Sequence, residues 1–309
     1  MNRSLFDFAP SAWLPTQDKN VLEYCRNIRR EEMEITNENG YSIRVVPHPS
    51  SAVTCELFNW IYKSDDEDKK TVMVFPNSWR NIYKAAVEMC NKFNVSGRNI
   101  HAFCMDEYAD EYGNVAPITW GRSLGGHFMT EFYMSFREDL RPALKQMHYY
   151  TNENIKNYSD MIAEEGNGGA DVILSATGWI GHTAFIDPGT KAFKAESLEE
   201  FLQIKAGFVD NHRLTTQQNS GANSPLWRTP SYSVTIGPWD VMHARDHLER
   251  HDLHEVGGYA SWERMISRLQ LYGPVCMEVP ASIYQLTKGT IYVSEDMARP
   301  IEPLEYIAL

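Results

Sequence analysis

An aspartate where an apolar run meets polar residues, in IHAFCMDEY (100–108), is the first candidate for chemistry in this chain. A carboxylate at such a strand end is partly desolvated, which raises its pKa and suits Asp106 to carry a proton between two atoms of a bound molecule. On spacing alone Asp106 is equally compatible with a helix cap or a surface ion pair. Glu107 and Asp110 beside it suit structural or solvated roles. A second candidate is the loop GWIGHTAFIDPGT (178–190). Gly178 and Gly181 permit close backbone approach to a ligand. His182 titrates near neutral pH, and Asp187, five residues on, can orient the imidazole or share its proton. A lone histidine in a glycine loop is more often structural, and the Gly-x-x-Gly lacks the strand–GxGxxG–helix setting of a dinucleotide site. The third candidate is Asn77-Ser78-Trp79-Arg80, directly after TVMVFP.

A fourth constellation competes with these. His243, His247, His251 and His254 lie in HARDHLERHDLHE, the first three at intervals of four. On a helix they share one face and suit a transition metal. The interleaved Asp, Glu and Arg favour instead a hydrophilic surface helix or loop without metal. Neither a GxSxG elbow nor a P-loop occurs.

The elements that must position these residues alternate. YSIRVVPHP predicts a strand, and SAVTCELFNWIYK a helix with Val53, Leu57, Trp60 and Ile61 on one face. TVMVFP predicts a buried parallel strand, IYKAAVEMCNKF a helix, and IHAFCMDEY a strand running into polar residues. LGGHFMTEFYMSFREDL and WERMISRLQL predict helices; ADVILSATG, SYSVTIG and GTIYVSEDMA predict strands. The expected fold is α/β: an open, mostly parallel, Rossmann-like sheet with helices on both faces. Residues 1–40, with LEYCRNIRREEMEI as a short amphipathic helix, form an N-terminal extension to a single domain over 41–309. Three of the polar clusters then fall at the carboxyl ends of strands, where open parallel sheets bind ligands.

Composition narrows the partners. A net charge of −12 over 309 residues repels nucleic-acid phosphates and anionic lipid surfaces, though a local basic patch can still hold a small anion. Five scattered cysteines contain no CxxC pair and suit free thiols in a reducing compartment. The amino terminus lacks the apolar core of a signal peptide, and no segment approaches the roughly 20 apolar residues of a membrane span. A cytoplasmic protein that binds neither nucleic acid nor membrane is expected.

Together the clusters resemble the glucosamine-6-phosphate isomerase/deaminase family, which shares its fold with 6-phosphogluconolactonase and ribose-5-phosphate isomerase. FCMDEY (103–108) looks like the family's F-N-M-D-E-Y, and GWIGHTAFIDPG (178–189) like its G-x-D-G-H-I-A-F-N-E-P-G loop. TIGPWDVMHAR (235–245) resembles T-x-G-x-G-T-I-x-x-A-R, and GPVCMEVPASIYQL (273–286) resembles G-P-V-T-x-x-V-P-A-S-x-L-Q-L. All four occur in the family's order. The resemblance implies a sugar-phosphate isomerase type of fold and a cofactor-free reaction without metal. A pyranose ring opens, and a proton then shuttles between C2 and C1, with ammonia leaving in the deaminases. It also implies that Asp106 is the shuttling base, His182 the ring-opening histidine and Asp187 its carboxylate partner. The expected partner is a small sugar or sugar phosphate, and a homo-oligomer is expected.

Three departures touch substrate recognition. The family's aspartate before Gly-His is Ile180 here, which can neither move protons nor bind an ammonium. The phosphate loop L-P-T-G-G-T-P aligns with FPNSWRNI (75–82), where Ser78 and Trp79 replace both glycines and Arg80 offers a charge instead. The phosphate-binding lysine of G-x-x-K-A has no clear match in GGYASWERM, and the arginine of its N-S-R segment falls loosely on Gly221. Substrate contacts are therefore expected from Asn77, Ser78, Trp79, Arg80, Gly178, Trp179, Ile180 and Gly181, with Trp79 and Trp179 as stacking surfaces or core residues. The expected activity is aldose–ketose isomerisation or amino-sugar deamination on an altered substrate. A sugar lactonase and an inactive sugar sensor are the alternatives.

Overall fold

The structure is a computed structural model that describes residues 14–76, 79–221, 225–253 and 258–301. Asn77, Ser78 and His254 lie outside the described residues. In chain order the strands are β1 (Tyr41–Val46), β2 (Thr71–Phe75), β3 (Ile100–Cys104), β4 (Asp106–Ala109), β5 (Met147–His148), β6 (Val172–Ala176), β7 (Gly207–Asp210), β8 (Tyr232–Thr235), β9 (His247–His251) and β10 (Gly289–Ser294). The α-helices are α1 (Lys19–Asn27), α2 (Pro49–Asp66), α3 (Arg80–Phe93), α4 (Leu124–Glu131), α5 (Tyr158–Glu165), α6 (Leu198–Phe201), α7 (Arg213–Ser220), α8 (Pro238–His243), α9 (Gly258–Tyr272) and α10 (Glu295–Ala298).

Seven strands form one parallel sheet in the order β1-β10-β9-β6-β2-β3-β5. Strand β2, TVMVF, lies inside the sheet between β6 and β3 and is buried at every position, as a strand covered on both faces must be. The covering helices follow from local sequence. Pro49 opens α2, and Val53, Leu57 and Ile61 bury one stripe, with Trp60 only half-buried at its border. Helix α3 stops where Asn94 turns left-handed (φ 56°) and returns its N–H to the Cys90 carbonyl. From β2 the chain crosses to β3 on one side, whereas the strands after β6 add on the other. The connections thus reverse between β2 and β6, the position at which open parallel sheets bind ligands beyond the carboxyl ends of their strands.

Four segments depart from the sequence pattern. The run IHAFCMDEY is two strands, not one. The Met105 N–H reaches the Phe75 carbonyl, and Asp106 then begins a separate three-stranded antiparallel sheet, β4-β8-β7. SYSVTIG is accordingly antiparallel. The helix expected over LEYCRNIRREEMEI starts earlier, capped by Asp18, and ends at Asn27, with a short 3-10 turn after it. Helix α4 ends at Glu131, and 3-10 turns take up the rest of its predicted length.

The fourth departure is the largest. HLERH is neither a surface helix nor a loop but β9, inside the parallel sheet. Its polar side chains find partners in the interior for part of their hydrogen-bonding capacity. The Gln270 amide donates to Glu249 Oε1 (2.6 Å), His251 Nδ1 meets Ser267 Oγ (2.8 Å), and His247 Nδ1 bonds the Lys288 carbonyl (2.9 Å). His243 instead sits on α8, stacked on Trp239. The three described histidines therefore share no helix face and form no metal cluster.

Residues 14–40 pack on the α9 side. The buried Arg268 guanidinium reaches the Ile28 carbonyl, Tyr272 Oη donates to the Met33 carbonyl, and Arg30 pairs with Glu295. Among the described residues no helix is long and apolar enough to cross a membrane.

Asp240 ties α8 to α5, accepting the Gly237 N–H and the Ser159 hydroxyl on Oδ2. Burial pushes its carboxyl up to about 6 from an ordinary 3.8. The folded chain thus holds that proton more tightly than the unfolded chain. Stability present below about pH 4 is lost as pH rises to about 6, at ~1.4 kcal/mol per unit of pKa difference. Asp240→Asn, whose single carbonyl oxygen can take both donors, is expected to flatten that part of the profile in urea unfolding across this range.

Candidate active site

The loop after β6 is folded around one imidazole. Gly181 takes φ +74°, and its carbonyl accepts the Ala281 N–H (2.9 Å), which fixes the turn against the PASIYQL segment. Next to it, Thr183 Oγ1 bonds Tyr284 Oη at 2.7 Å in the interior. The chain so folded lays the His182 ring directly over Gly178: a Cβ there would fall 2.2 Å from Nε2. Only glycine allows that approach.

The other edge of the ring is anchored. His182 Nδ1 lies 3.1 Å from Asp187 Oδ1 and 2.9 Å from Thr215 Oγ1. The Thr215 hydroxyl donates to the same Asp187 oxygen (2.8 Å), and the His212 N–H donates to Oδ2 (2.7 Å). The single hydroxyl hydrogen of Thr215 is thereby committed to the carboxylate, so His182 Nδ1 must carry the hydrogen it shares with Thr215. Nε2 is then the basic nitrogen. Asp187 and Thr215 are buried, and His182 is 8% exposed.

Asp106 joins this region through β8. It stands opposite Thr235 in the antiparallel pair, and the Thr235 hydroxyl accepts the N–H of Phe185, three residues beyond His182. The 178–190 loop is thus fastened to the strand that pairs with Asp106, which is itself 7% exposed. A layer of phenols surrounds this carboxylate. Tyr108, Tyr150 and Tyr158 are all pushed above the ordinary tyrosine range, first by burial and further by the Asp106 charge. Tyr158 Oη also holds the Cys104 carbonyl (2.9 Å) just before Asp106.

Glu107 is structural. It accepts the N–H groups of Tyr108, Leu124 and Gly125 and the Ser123 hydroxyl, and so caps α4, although burial raises its pKa. Asp110 is exposed and closes a turn onto Asn114.

The remaining candidates divide. Trp79 is 6% exposed and packs in the core beside Tyr83. The Arg250 guanidinium lies over its ring at 5.5 Å. Arg80 opens α3, its side chain 65% exposed and 4.0 Å from Glu131. Ile180 is fully buried. Trp179 is half-buried and held by three bonds: its N–H to Gln218, its indole N–H to Glu263, and its carbonyl to the Trp262 indole.

No protein-family model matches the chain. Glucosamine-6-phosphate deaminases align with it at low identity. That of Fusobacterium nucleatum is 25% identical over 185 residues, covering 59% of this chain and 62% of the relative. That of Corynebacterium urealyticum is 26% identical over 215 residues, covering 69% and 74%. The alignment with the first relative thus spans less than two thirds of its length. Among solved structures, a monomeric glucosamine-6-phosphate deaminase described as the missing link of the NagB superfamily superposes with a TM-score of 0.67 at 16% identity, covering 83% of this chain and 98% of that one. The chain shares the α/β fold of that structure. A 6-phosphogluconolactonase from Trypanosoma cruzi follows it with a TM-score of 0.57 at 15% identity over 86% and 97% of the two chains.

Three residues of this region were invisible in the sequence. Thr215 and His212 belong to DNHRLTTQQ, which carries no recognisable pattern. Arg250 was assigned to a solvated stretch. It lies at the carboxyl end of β9 beside Ala176, bonds Ser50 Oγ (2.9 Å), and has its pKa lowered by burial.

Two substitutions test the anchoring. Thr215→Val leaves the buried Asp187 oxygen and His182 Nδ1 one partner short and is expected to cost about 1–3 kcal/mol in urea unfolding, with Thr215→Ser restoring most of it. Gly178→Ala is expected to expel the ring, read as a changed His182 imidazole resonance in ¹⁵N NMR.

Proposed function

We propose that the chain is a sugar-processing enzyme of the NagB superfamily, an aldose–ketose isomerase or amino-sugar deaminase with Asp106, His182 and Asp187 as its reacting groups. One observation carries this reading. His182 is fixed in a single tautomer by Asp187 and Thr215, with Nε2 as its basic edge, on a loop fastened to the strand that pairs with Asp106. Such a pair of groups has a division of labour. His182 Nε2 takes the proton of the anomeric hydroxyl and returns it to the ring oxygen, opening the pyranose. Asp187 and Thr215 stabilise the imidazolium between those steps. Asp106 removes the C2 proton and delivers it to C1 through an enediol, or through an enolamine when C2 carries an amine, in which case the resulting C2 imine adds a solvent water and releases ammonia.

The specificity is proposed to differ from that of glucosamine 6-phosphate. Ile180 offers no carboxylate where an ammonium would be held, and Trp79 occupies the loop after β2 as a core residue. Arg80 and Arg250 flank that loop and are the proposed contacts for an anionic substituent, together with Asn77 and Ser78. Trp179, with Gly178 and Gly181, is proposed to border the ring.

Exchange of the C2 proton for deuterium across a panel of sugars and sugar phosphates tests the reading. Exchange is expected with at least one member, falling by about 10²–10⁴-fold in Asp106→Asn. Hydrolysis of a lactone without C2 exchange transfers the chain to lactonase chemistry. Saturable sugar binding without turnover makes it a sensor.

A further inference from the structure

A second polar cluster, built on β3, β5 and α5, has no part in this chemistry. His101 is the second residue of β3, His148 the last of the edge strand β5, and Glu165 the last of α5. One ring nitrogen from each histidine and one carboxylate oxygen all lie within 4.8 Å of one another. His101 Nδ1 is 3.0 Å from Glu165 Oε2, and the two rings stack at 6.3 Å with 21° between their planes.

We infer that His101, His148 and Glu165 bind a divalent transition-metal ion, zinc being the reference species. His101 Nδ1 and His148 Nε2 are both buried and have no hydrogen-bond partner, so the short approach of Nδ1 to the carboxylate is not along an N–H. Buried imidazole nitrogens are ordinarily paired, and a ligated metal satisfies such a nitrogen as a hydrogen bond would. Zinc takes imidazole nitrogen and carboxylate oxygen at about 2.0–2.2 Å, which sets neighbouring ligands about 3.3 Å apart in a tetrahedron. A spread of 4.8 Å closes to that by small side-chain rotations. Glu165 also ends a helix, where the dipole disfavours a carboxylate and a cation offsets it.

Lys70 supplies such a cation, its Nζ 2.6 Å from Glu165 Oε2, but its side chain is 48% exposed and free to withdraw. The three ligands come from β3, the two-residue edge strand β5 and α5. The ion therefore clamps the weakest strand of the sheet and supplies no reacting group. Tyr158 links this corner to the active region, since its hydroxyl bonds both the His148 and the Cys104 carbonyls.

The test is titration of chelator-treated protein with zinc by calorimetry and with cobalt by visible absorption. One equivalent is expected to bind, with ligand-field bands in the cobalt form and a raised Tm. His101→Ala and His148→Ala should abolish both signals, and Glu165→Gln should weaken binding about ten-fold or more. Lys70→Met, which removes a competing charge without touching a ligand, should tighten binding several-fold. Absence of saturable one-to-one binding, an unchanged cobalt spectrum in His101→Ala/His148→Ala, or unchanged affinity in Lys70→Met overturns the inference.

Discussion

A parallel sheet whose crossovers reverse direction cannot be roofed at the point of reversal, and the site depends on that constraint. Between β2 and β6 the chain departs to opposite sides, which is where an open parallel sheet places its ligand-binding loops. The loops that leave there, after Phe75 and after Ala176, are consequently where the sequence can spend glycine and charge without disrupting the core. The small antiparallel sheet is the second half of the arrangement. By peeling away from β3 at Met105, the chain turns Asp106 into a strand residue held by backbone pairing, more rigid than a loop aspartate.

That rigidity bears on the chemistry proposed. Proton transfer demands placement to a fraction of an ångström, and each reacting group is restrained by partners of its own. Ser123 and three backbone N–H groups hold Glu107, which fixes the backbone immediately after Asp106. His182 is restrained on three sides: by Gly178 beneath it, by Asp187, and by Thr215 on a helix distant in sequence.

Much of this was legible in the sequence. Alternating apolar runs gave the α/β class because β2, β3 and β6 lie inside the sheet, are largely buried and are mostly apolar. The His182–Asp187 pair was legible because the two residues are close in the chain. Thr215 was not, because it meets them from 28 residues beyond Asp187 and hydroxyls are common everywhere. The break of β3 into β4 was hidden because a change of sheet leaves no mark on hydrophobic patterning. Strand β9 was misassigned for the opposite reason. Its polar letters suggest solvent, yet Gln270, Ser267 and the Lys288 carbonyl on neighbouring elements each take one of its buried polar groups.

The composition of β9 has a consequence for the chain before it is folded. Parallel strands pair late, after long loops have closed, and apolar ones wait in a state prone to association. HLERH carries three titratable side chains besides its arginine and is too polar to template edge-to-edge aggregation while it waits. The strand between β6 and β10 thus acts as a gatekeeper on the nascent chain, and its register is set by which partner reaches which polar group, where an apolar strand would be free to slide.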